Sequence, residues 1–184
     1  QFFTGNLASY LYGTELPDNA NAPDGVGDTS KHHVYFFANG SLQDDAAAVR
    51  AREEYVNAKR IFREGNLSSA VEHLGMVVHY VSDVAVFGHV MGAATAWGTE
   101  NHHGDYEDYV LGRTRTYSSE FDSYLAFDGN LTTKSAYDAT VTTARDTTFD
   151  GGKAYTCTWM DQHYNWSDTT FRVRVGESLN LAVN

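Results

Sequence analysis

The chain of 184 residues is short enough for a single domain, and its 42% of hydrophobic residues is sufficient for a buried core. No run of the sequence approaches the roughly 20 consecutive apolar residues that a membrane-spanning helix needs. The net charge of −11, from 24 acidic and 13 basic residues, disfavours tight binding to nucleic acid, which depends on Lys and Arg side chains that neutralise phosphates.

The first part of the chain predicts a helix end, a loop and then a long helix. Residues 3–13 are apolar, and the following stretch, which holds both prolines, is typical of a loop. Residues 32–37 predict an extended segment. A helix is expected over residues 44–64, with Gly65 as its stop. The residues expected on one face of this helix are Ala48, Ala51, Tyr55, Ala58 and Phe62.

The next helix is predicted from the spacing of its apolar residues. Ser68 or Ser69 is expected to cap its first turn, because a serine hydroxyl can accept a hydrogen bond from a free backbone N–H there. Gly88 and Gly92 weaken the helical pattern farther along. The positions spaced for burial are Ala70, Leu74, Val77, Val81, Val84 and Ala85.

The middle of the chain predicts loops on both sides of a third helix. Residues 92–103 are expected to form a connection, and a helix is expected to start near Gly104. Residues 117–133 predict a loop or a short hairpin. Residues 135–147 are predicted to be helical, although their many threonines weaken a helix.

The last part of the chain predicts a strand followed by one further element. Residues 153–160 alternate as in a strand, and residues 168–184 could form either a strand or a helix. The fold class expected from all these elements is mainly α, in one domain that spans residues 1–184 with long loops.

Histidines and carboxylates recur between residues 79 and 107 at spacings that suit metal binding. His79 and Asp83 are four residues apart, and so are His103 and Glu107. Residues four apart lie on the same face of a helix, so each pair could bind one metal ion from a single turn. His89 follows His79 by ten residues and, on a continuous helix, would point away from that pair, which suits a second ion better than the first.

Imidazole nitrogens and carboxylate oxygens without thiolates are typical of hydrolytic zinc sites. Cys157 is the only cysteine of the chain, so no internal disulfide can form. Divalent cations at such a site would offset part of the negative charge locally. The sequence therefore predicts a site for divalent metal ions.

Four N-x-S/T sequons exceed the roughly two expected by chance. Together with the abundant Tyr and Thr residues, they favour a secreted protein with N-glycans on these asparagines. The chain begins at Gln1 without a signal segment, so we expect a processed product or a fragment. The sequon asparagines are Asn39, Asn66, Asn130 and Asn165.

The arrangement HYVSD, five residues, His89, thirteen residues and HGDYE resembles the zinc-dependent phospholipase C family of secreted bacterial enzymes. The segment LGMVVHYVSDVAVFGHV is similar to the helix that carries the first of these metal-binding histidines in that family. GTELPD and KHHVYF are similar to its Pro-Asp loop and its His-aromatic segment. The resemblance covers residues 10–110 and implies the helical fold that these enzymes share with the single-strand-specific zinc nucleases.

The resemblance implies two or three zinc ions. The residues implied to hold the first ion are Asp18, His33, His79 and Asp83. The residues implied to hold the second ion are His89, His103 and Glu107. Four protein ligands make the first ion more structural, whereas three leave the second an open position for water or substrate. Asp83 would also bridge to a third ion.

Two of these histidines have a histidine directly before them. Either His32 or His33 could be the ligand, and the spacing of the family favours His33. Either His102 or His103 could be the other ligand, but only His103 lies four residues before Glu107.

Asp18 competes with Glu15 and Asp24 as the ligand from the loop, and it could also be an ordinary turn residue. In the family, the third ion is held by the terminal amine and by a His of the first helix. This chain has no His before His32. We therefore expect either that the first helix of the family is missing from this chain or that the third site is incomplete.

The resemblance predicts metal-assisted hydrolysis of a phosphodiester, with Asp18 as the general base. A phospholipid or another phosphate ester is the expected substrate, because Glu107 ends the motif as in the phospholipases, whereas the related nucleases have Asp after a longer gap. Contact with a membrane surface is compatible with such a substrate. Aromatic residues could line a choline-accepting pocket or pack in the core, namely Tyr12, Tyr35, Phe36, Trp97 and Tyr106.

Two alternatives stay open from the sequence. A non-catalytic secreted glycoprotein could keep the metal-stabilised scaffold for structure or self-assembly, which the four sequons and the missing ligands of the third site would fit. A single-strand nuclease is the other alternative, and the acidic charge disfavours it.

Overall fold

The computed structural model describes residues 4–91, 98, 101–114, 119–130, 132–155 and 157–184. The helices of this part of the chain are α1 (Leu7–Glu15), α2 (Ala46–Arg63), α3 (Leu67–Asp83), α4 (His103–Leu111), α5 (Ala136–Thr148), α6 (Cys157–His163) and α7 (Thr169–Val183). Its strands are β1 (Tyr35–Phe36), β2 (Leu42–Asp44), β3 (Phe149–Asp150) and β4 (Lys153–Ala154). Strands β1 and β2 form one antiparallel pair, and β3 and β4 form another. The predicted mainly α class is confirmed.

Helices α2 and α3 form a helical hairpin whose turn is made by Glu64, Gly65 and Asn66. Gly65 has a φ of +86°, a backbone conformation that glycine adopts without steric cost. The Asn66 side chain accepts a hydrogen bond from the Ser69 N–H at 3.2 Å and caps α3. The predicted serine cap is therefore wrong, because the asparagine directly after Gly65 already occupies the capping position.

The face of α2 that is buried differs in part from the predicted one. Tyr55 and Phe62, predicted on one face with the alanines, are 41% and 51% exposed, whereas the alanines are buried. Small alanines let α3 approach α2 closely, and the two large rings line a surface pocket together with Leu74. The buried residues of α2 are Ala47, Ala48, Ala51, Glu54, Ala58 and Ile61.

Helix α1 crosses α3 at two glycines, Gly13 and Gly75. A Cβ atom on Gly13 would lie 2.0 Å from the backbone oxygen of Glu72, and one on Gly75 would lie 2.3 Å from the backbone oxygen of Tyr10. Only a residue without a Cβ atom allows this approach. The crossing brings the C-terminal end of α1 close to the second half of α3.

Helix α5 is rich in threonine and still helical, as predicted. Its N-cap Ser135 accepts a hydrogen bond from the Asp138 N–H at 3.1 Å. The hydroxyls of Thr140, Thr147 and Thr148 each donate to the carbonyl four residues earlier, at 2.8–2.9 Å. These bonds satisfy hydroxyl groups that are buried where α5 packs against α2, α3 and α7.

The C-terminal part of the chain corrects one prediction and decides another. Residues 153–160 do not form one strand, because β4 ends at Ala154 and α6 begins at Cys157. Residues 168–184 form helix α7, capped by Asp168, whose side chain accepts from the N–H groups of Thr170 and Phe171. The residues described between 119 and 133 form turns and no strand. The predicted loop over residues 92–103 lies largely outside the described residues.

The core lies between the α2–α3 hairpin and the helices that follow. It contains aromatic and aliphatic residues from both halves of the chain, among them Phe36, Tyr80, Phe87, Tyr106 and Phe171. Among the described residues, no helix is both long enough and apolar enough to cross a membrane.

Candidate metal centre

Six of the seven predicted ligands, all except His79, line one cavity of about 360 Å³, and His79 Nε2 lies 3.0 Å from the cavity-lining Asp83. Asp18 comes from the loop after α1, and α3 contributes His79 and Asp83 from its last turn. Helix α3 ends at Asp83, so His89 lies in a separate short 3₁₀ turn rather than on the same helix. The last two, at the start of α4, are His103 and Glu107.

The first cluster surrounds the carboxylate of Asp83. One oxygen of Asp83 lies 3.0 Å from His79 Nε2 and 3.0 Å from His32 Nδ1. These two ring nitrogens are 3.3 Å from each other. Asp18 approaches from the solvent side, 3.4 Å from His32 Nδ1 and 3.8 Å from His79 Nε2. Ligand atoms of Asp18, His32 and His79 all lie within 4.8 Å of one another, which is close enough to bind one cation.

Hydrogen bonds on the outer side of the two rings orient their inner nitrogens. His79 Nδ1 lies 2.8 Å from the backbone oxygen of Thr14, and His32 Nε2 lies 3.3 Å from Asp28 Oδ1. Since an oxygen of either kind accepts, the ring nitrogen facing it carries the proton, and a neutral ring then presents a lone pair to the cavity. Such an outer acceptor is the usual partner of a metal-binding histidine.

The inner atoms of this cluster need a positive charge between them. Asp83 Oδ2 is buried and has no well-aligned hydrogen-bond donor among the described residues, although two nitrogens lie 3.0 Å away. Neutral rings direct lone pairs at this oxygen, which is repulsive. Either protons on the rings or a divalent cation would compensate the charge, and the donor set fits zinc.

The charges of the cluster favour an ionised Asp83. Burial raises the pKa of Asp83, but the imidazoles of His32 and His79 beside it and the charge of His89 hold it well below its usual range. Burial lowers the pKa of His79, and the Asp83 carboxylate outweighs this effect, so the pKa lies above its ordinary value of 6.5. The cluster therefore holds a fixed negative charge that attracts cations.

The second cluster lies on the other side of the cavity. Glu107 Oε1 lies 2.9 Å from His103 Nε2 and 3.5 Å from His89 Nε2, and the centres of the two imidazole rings are 4.6 Å apart. Burial raises the pKa of Glu107, but hydrogen bonds from His103 and His89 lower it to about 2. Glu107 is thus a carboxylate in the pH range of most enzymes, and the three side chains could hold a second cation.

The two clusters are adjacent. The ring centres of His32 and His89 are 6.2 Å apart, and Asp83 lines the cavity between the clusters. Within the part of the chain that the structure describes, these are the two groups of three ligands that could hold an ion.

The choice of His33 rather than His32 is not supported by the geometry. His33 Nε2 lies 3.2 Å from Asp44 Oδ2, and its ring stacks on Tyr35 with ring centres 4.3 Å apart. Two backbone hydrogen bonds hold His33 and Val34 in place: the Val34 N–H donates to His89 O, and the Ala47 N–H donates to His33 O. Both histidines line the cavity, but His32, 2% exposed, is the one whose Nδ1 lies within 3.4 Å of Asp18 and Asp83.

The other two predicted choices, of His103 over His102 and of Asp18 over Glu15 and Asp24, agree with the geometry. His102 Nε2 lies 3.2 Å from Asp161, and its ring stacks on Tyr164, so His103 is the one beside Glu107. Of the three acidic residues considered in the loop, Asp18 is the one that joins the first cluster.

Sequence reasoning did not find the outer acceptors of the two histidines, Thr14 and Asp28. A backbone carbonyl such as that of Thr14 has no sequence signal. Asp28 lies four residues before His32, the same spacing as the two pairs already identified, and this signal could have indicated it.

The aromatic residues proposed for a substrate pocket divide between core and cavity. Phe36 and Tyr106 are 2% exposed and belong to the core, whereas Tyr35 lines the cavity. Tyr12 packs against the core, and Trp97 lies outside the described residues.

Comparisons with known proteins add no relative. The chain matches no protein family model, no curated protein and no solved structure at a significant level.

Proposed function

We propose that this protein is a metal-dependent phosphodiester hydrolase of the phospholipase C type, with a single-domain phospholipase C/zinc nuclease-like fold. The observation that carries the proposal is the pair of His/carboxylate clusters that face one cavity of about 360 Å³. Two adjacent cation sites in an open cavity are typical of enzymes that hydrolyse phosphate esters.

The residues of the cavity would have separate roles in the proposed reaction. Zinc ions held by the two clusters would stabilise negative charge on the phosphate group and acidify water. Asp18, 62% exposed at the mouth of the cavity, is the candidate general base, because its carboxylate can take a proton from a water molecule there. Asp83 and Glu107 keep the cavity negative and hold the histidines beside them.

A phospholipid or another small phosphate ester is the substrate class that fits best. The net charge of −11 repels a nucleic acid backbone, and the cavity has room for a phosphate with a small head group. Access to lipids would require peripheral contact with a membrane surface. Secretion with N-glycans is part of the proposal, and the four sequon asparagines are all exposed.

Hydrolysis of a chromogenic phosphocholine ester by the purified protein tests the proposal. We expect turnover that is abolished by a chelator and restored by zinc. His103→Ala should lower both the turnover and the zinc content. His102→Ala should leave the zinc content of both clusters unchanged, because His102 pairs with Asp161.

Each of the other outcomes identifies an alternative. Bound zinc without turnover on lipid or single-stranded nucleic acid would indicate a non-catalytic glycoprotein that uses the metal for its scaffold or for self-assembly. Zinc-dependent cleavage of single-stranded nucleic acid alone would indicate a nuclease. A protein that binds no divalent metal would refute the proposal.

A further inference from the structure

A chain of hydrogen-bonded side chains leads from the first cluster into the contact between α2 and α3. It starts at Asp28, whose carboxylate has three neighbours that can donate. The Tyr80 hydroxyl donates to Asp28 Oδ1 at 2.7 Å, His32 Nε2 lies 3.3 Å from the same oxygen, and Arg50 Nε donates to Asp28 Oδ2 at 2.7 Å. The carboxylate is thus held from both sides and faces the outer edge of His32.

Arg50 is itself held by further residues. Its Nη2 donates to Glu54 Oε1 at 2.6 Å, and its Nη1 donates to Glu53 Oε2 at 2.7 Å. The other oxygen of Glu54 lies 2.6 Å from His73 Nδ1. Glu54 is 4% exposed, so this end of the hydrogen-bonded network lies inside the protein. The guanidinium of Arg50 also lies over the Tyr80 ring, 5.5 Å from its centre.

Burial of these ionic groups does not by itself stabilise a fold, because removing them from water costs about as much free energy as their attraction returns. A fixed geometry is what such a network provides. A planar guanidinium with two or more partners leaves Asp28 one orientation, and Asp28 in turn leaves the His32 ring one tautomer, with its proton on Nε2 and its lone pair on Nδ1.

We propose that Asp28 is a positioning residue for His32 and that Arg50 and Tyr80 act through Asp28, so that this network sets the metal affinity of the first cluster. The inference rests on the proposed function only in that the first cluster must bind a metal ion. It assigns to Asp28 and Arg50 a role in the site although neither of them lines the cavity.

Zinc titration against a chromophoric chelator, with separate constants for the two equivalents, tests this role. Asp28→Asn should weaken one equivalent by about 10–100-fold and leave the other unchanged, since loss of an outer partner typically has this effect on a metal site. Arg50→Met and Tyr80→Phe should weaken the same equivalent by a smaller factor. Asp28→Glu should restore part of the affinity because it returns the carboxylate.

Two matched controls separate positioning from general damage. Asp24→Asn changes an exposed aspartate of the same loop, and Arg60→Met breaks an exposed ion pair with Glu64 on the same helix as Arg50. Both should keep both zinc constants. The visible spectrum of the cobalt-substituted protein gives a second reading, because a turned or displaced His32 changes the ligand field of one ion only.

The outcomes distinguish the two proposals. A wild-type protein that binds no zinc or cobalt overturns the proposed function together with this inference. A wild-type protein that binds two equivalents, with both constants and the cobalt spectrum unchanged in Asp28→Asn, overturns the positioning role alone. If Arg50→Met does not fold, Tyr80→Phe decides the network, because it removes one hydrogen bond and keeps the packing of the ring; unchanged zinc constants in this variant overturn the part assigned to Arg50 and Tyr80.

Discussion

At the scale of single residues, the site depends on which of two neighbouring side chains faces inward. His32 and His33 are identical in type, but His32 meets Asp83 whereas His33 meets Asp44, in a segment held by backbone hydrogen bonds from Val34 to His89 and from Ala47 to His33. A difference between neighbours of this kind can be tested directly, because the two substitutions are chemically the same.

We expect His32→Ala to reduce zinc binding by one equivalent and His33→Ala to leave it unchanged. The reason is that the His32 ring supplies Nδ1 to the first cluster, whereas the His33 ring pairs with Asp44 and stacks on Tyr35. Elemental analysis of the purified variants gives the stoichiometry. The opposite result, with zinc lost only from His33→Ala, would restore the ligand set that the family spacing predicts.

Gly88 is a second residue whose identity matters to the site. A Cβ atom there would lie 2.6 Å from Nδ1 of the His103 ring. We expect Gly88→Ala to displace this ring and to weaken the second metal equivalent by about tenfold or more, with less effect on the first. Gly104→Ala is the matched control, because a Cβ atom at Gly104 meets nothing within 4 Å. Zinc titration of both variants checks this, and equal affinities in the two would contradict it.

At the scale of elements, the contacts of α3 position the first cluster. Helix α1 reaches α3 at Gly13 and Gly75, and this close crossing places the Thr14 carbonyl 2.8 Å from His79 Nδ1. Helix α2 contacts α3 on another side and brings Arg50 to Asp28. The helix that carries two ligands therefore contacts α1, which supplies the outer acceptor of His79, and α2, whose Arg50 holds the outer acceptor of His32.

We expect Gly75→Ala to be destabilising, because the added methyl group would overlap the backbone of α1 at Tyr10. Overpacking of this kind typically lowers the free energy of unfolding by about 1–3 kcal/mol. Thermal and chemical denaturation measure the loss. Gly5→Ala, at a position with nothing within 4 Å, should change the stability by less than about 0.5 kcal/mol. A neutral Gly75→Ala would mean that the two helices do not cross here.

Glu54 links α2 and α3 in a way that depends on pH. Burial raises the pKa of Glu54, but the hydrogen bond from His73 and the charge of Arg50 lower it below its ordinary value of 4.5. At acidic pH the unfolded chain therefore binds more protons than the folded one. The resulting contribution to stability is complete above 4.5 and is lost as the pH falls through the lower pKa of the folded protein.

Urea denaturation at several pH values, in the presence of a chelator so that metal release does not contribute, measures this dependence. Glu54→Gln should lower the free energy of unfolding at neutral pH by about 1–3 kcal/mol and should have a flatter acid profile. Glu64→Gln, which changes an exposed carboxylate in the hairpin turn itself, should keep the wild-type profile. Parallel profiles for Glu54→Gln and the wild type would rule out this role of Glu54.

At the scale of the whole molecule, the site joins segments that are far apart in the chain. The cavity is lined by residues from Asp18 to Glu107, and the chain carries a net charge of −11. Cations in the cavity would therefore connect the loop after α1, helices α3 and α4 and the segment before β1, and would reduce the repulsion between their carboxylates.

Metal removal should accordingly lower the melting temperature. A ligand that binds only the folded state stabilises it by about 2.7 kcal/mol when its free concentration is one hundred times Kd. We expect a chelator to lower the melting temperature of the wild type, and zinc in excess to restore it. A variant with both His32→Ala and His103→Ala should not respond to either. An equal response of this variant would place the stabilising metal elsewhere.

The sequence by itself determined the mainly helical class, the helical pattern around α2 and α3, and the grouping of ligands along the chain. These features are local, because helical periodicity and a spacing of four residues depend only on neighbours in sequence. The pairs His79–Asp83 and His103–Glu107 follow directly from that spacing. Both pairs lie within 3.0 Å in the structure.

Only the tertiary structure decided which histidine of the first pair of neighbours faces the site, what holds it and how the two clusters meet. The orientation of His32 depends on the segment that follows it, where the Val34 N–H donates to His89 O and the Ala47 N–H donates to His33 O, and its outer partner Asp28 is held by Arg50 of α2. Tertiary contacts also explain why Glu54 is buried whereas its neighbour Tyr55 is 41% exposed, since a charged side chain is buried only where partners satisfy it. Such contacts join residues distant in sequence, and no local pattern specifies them.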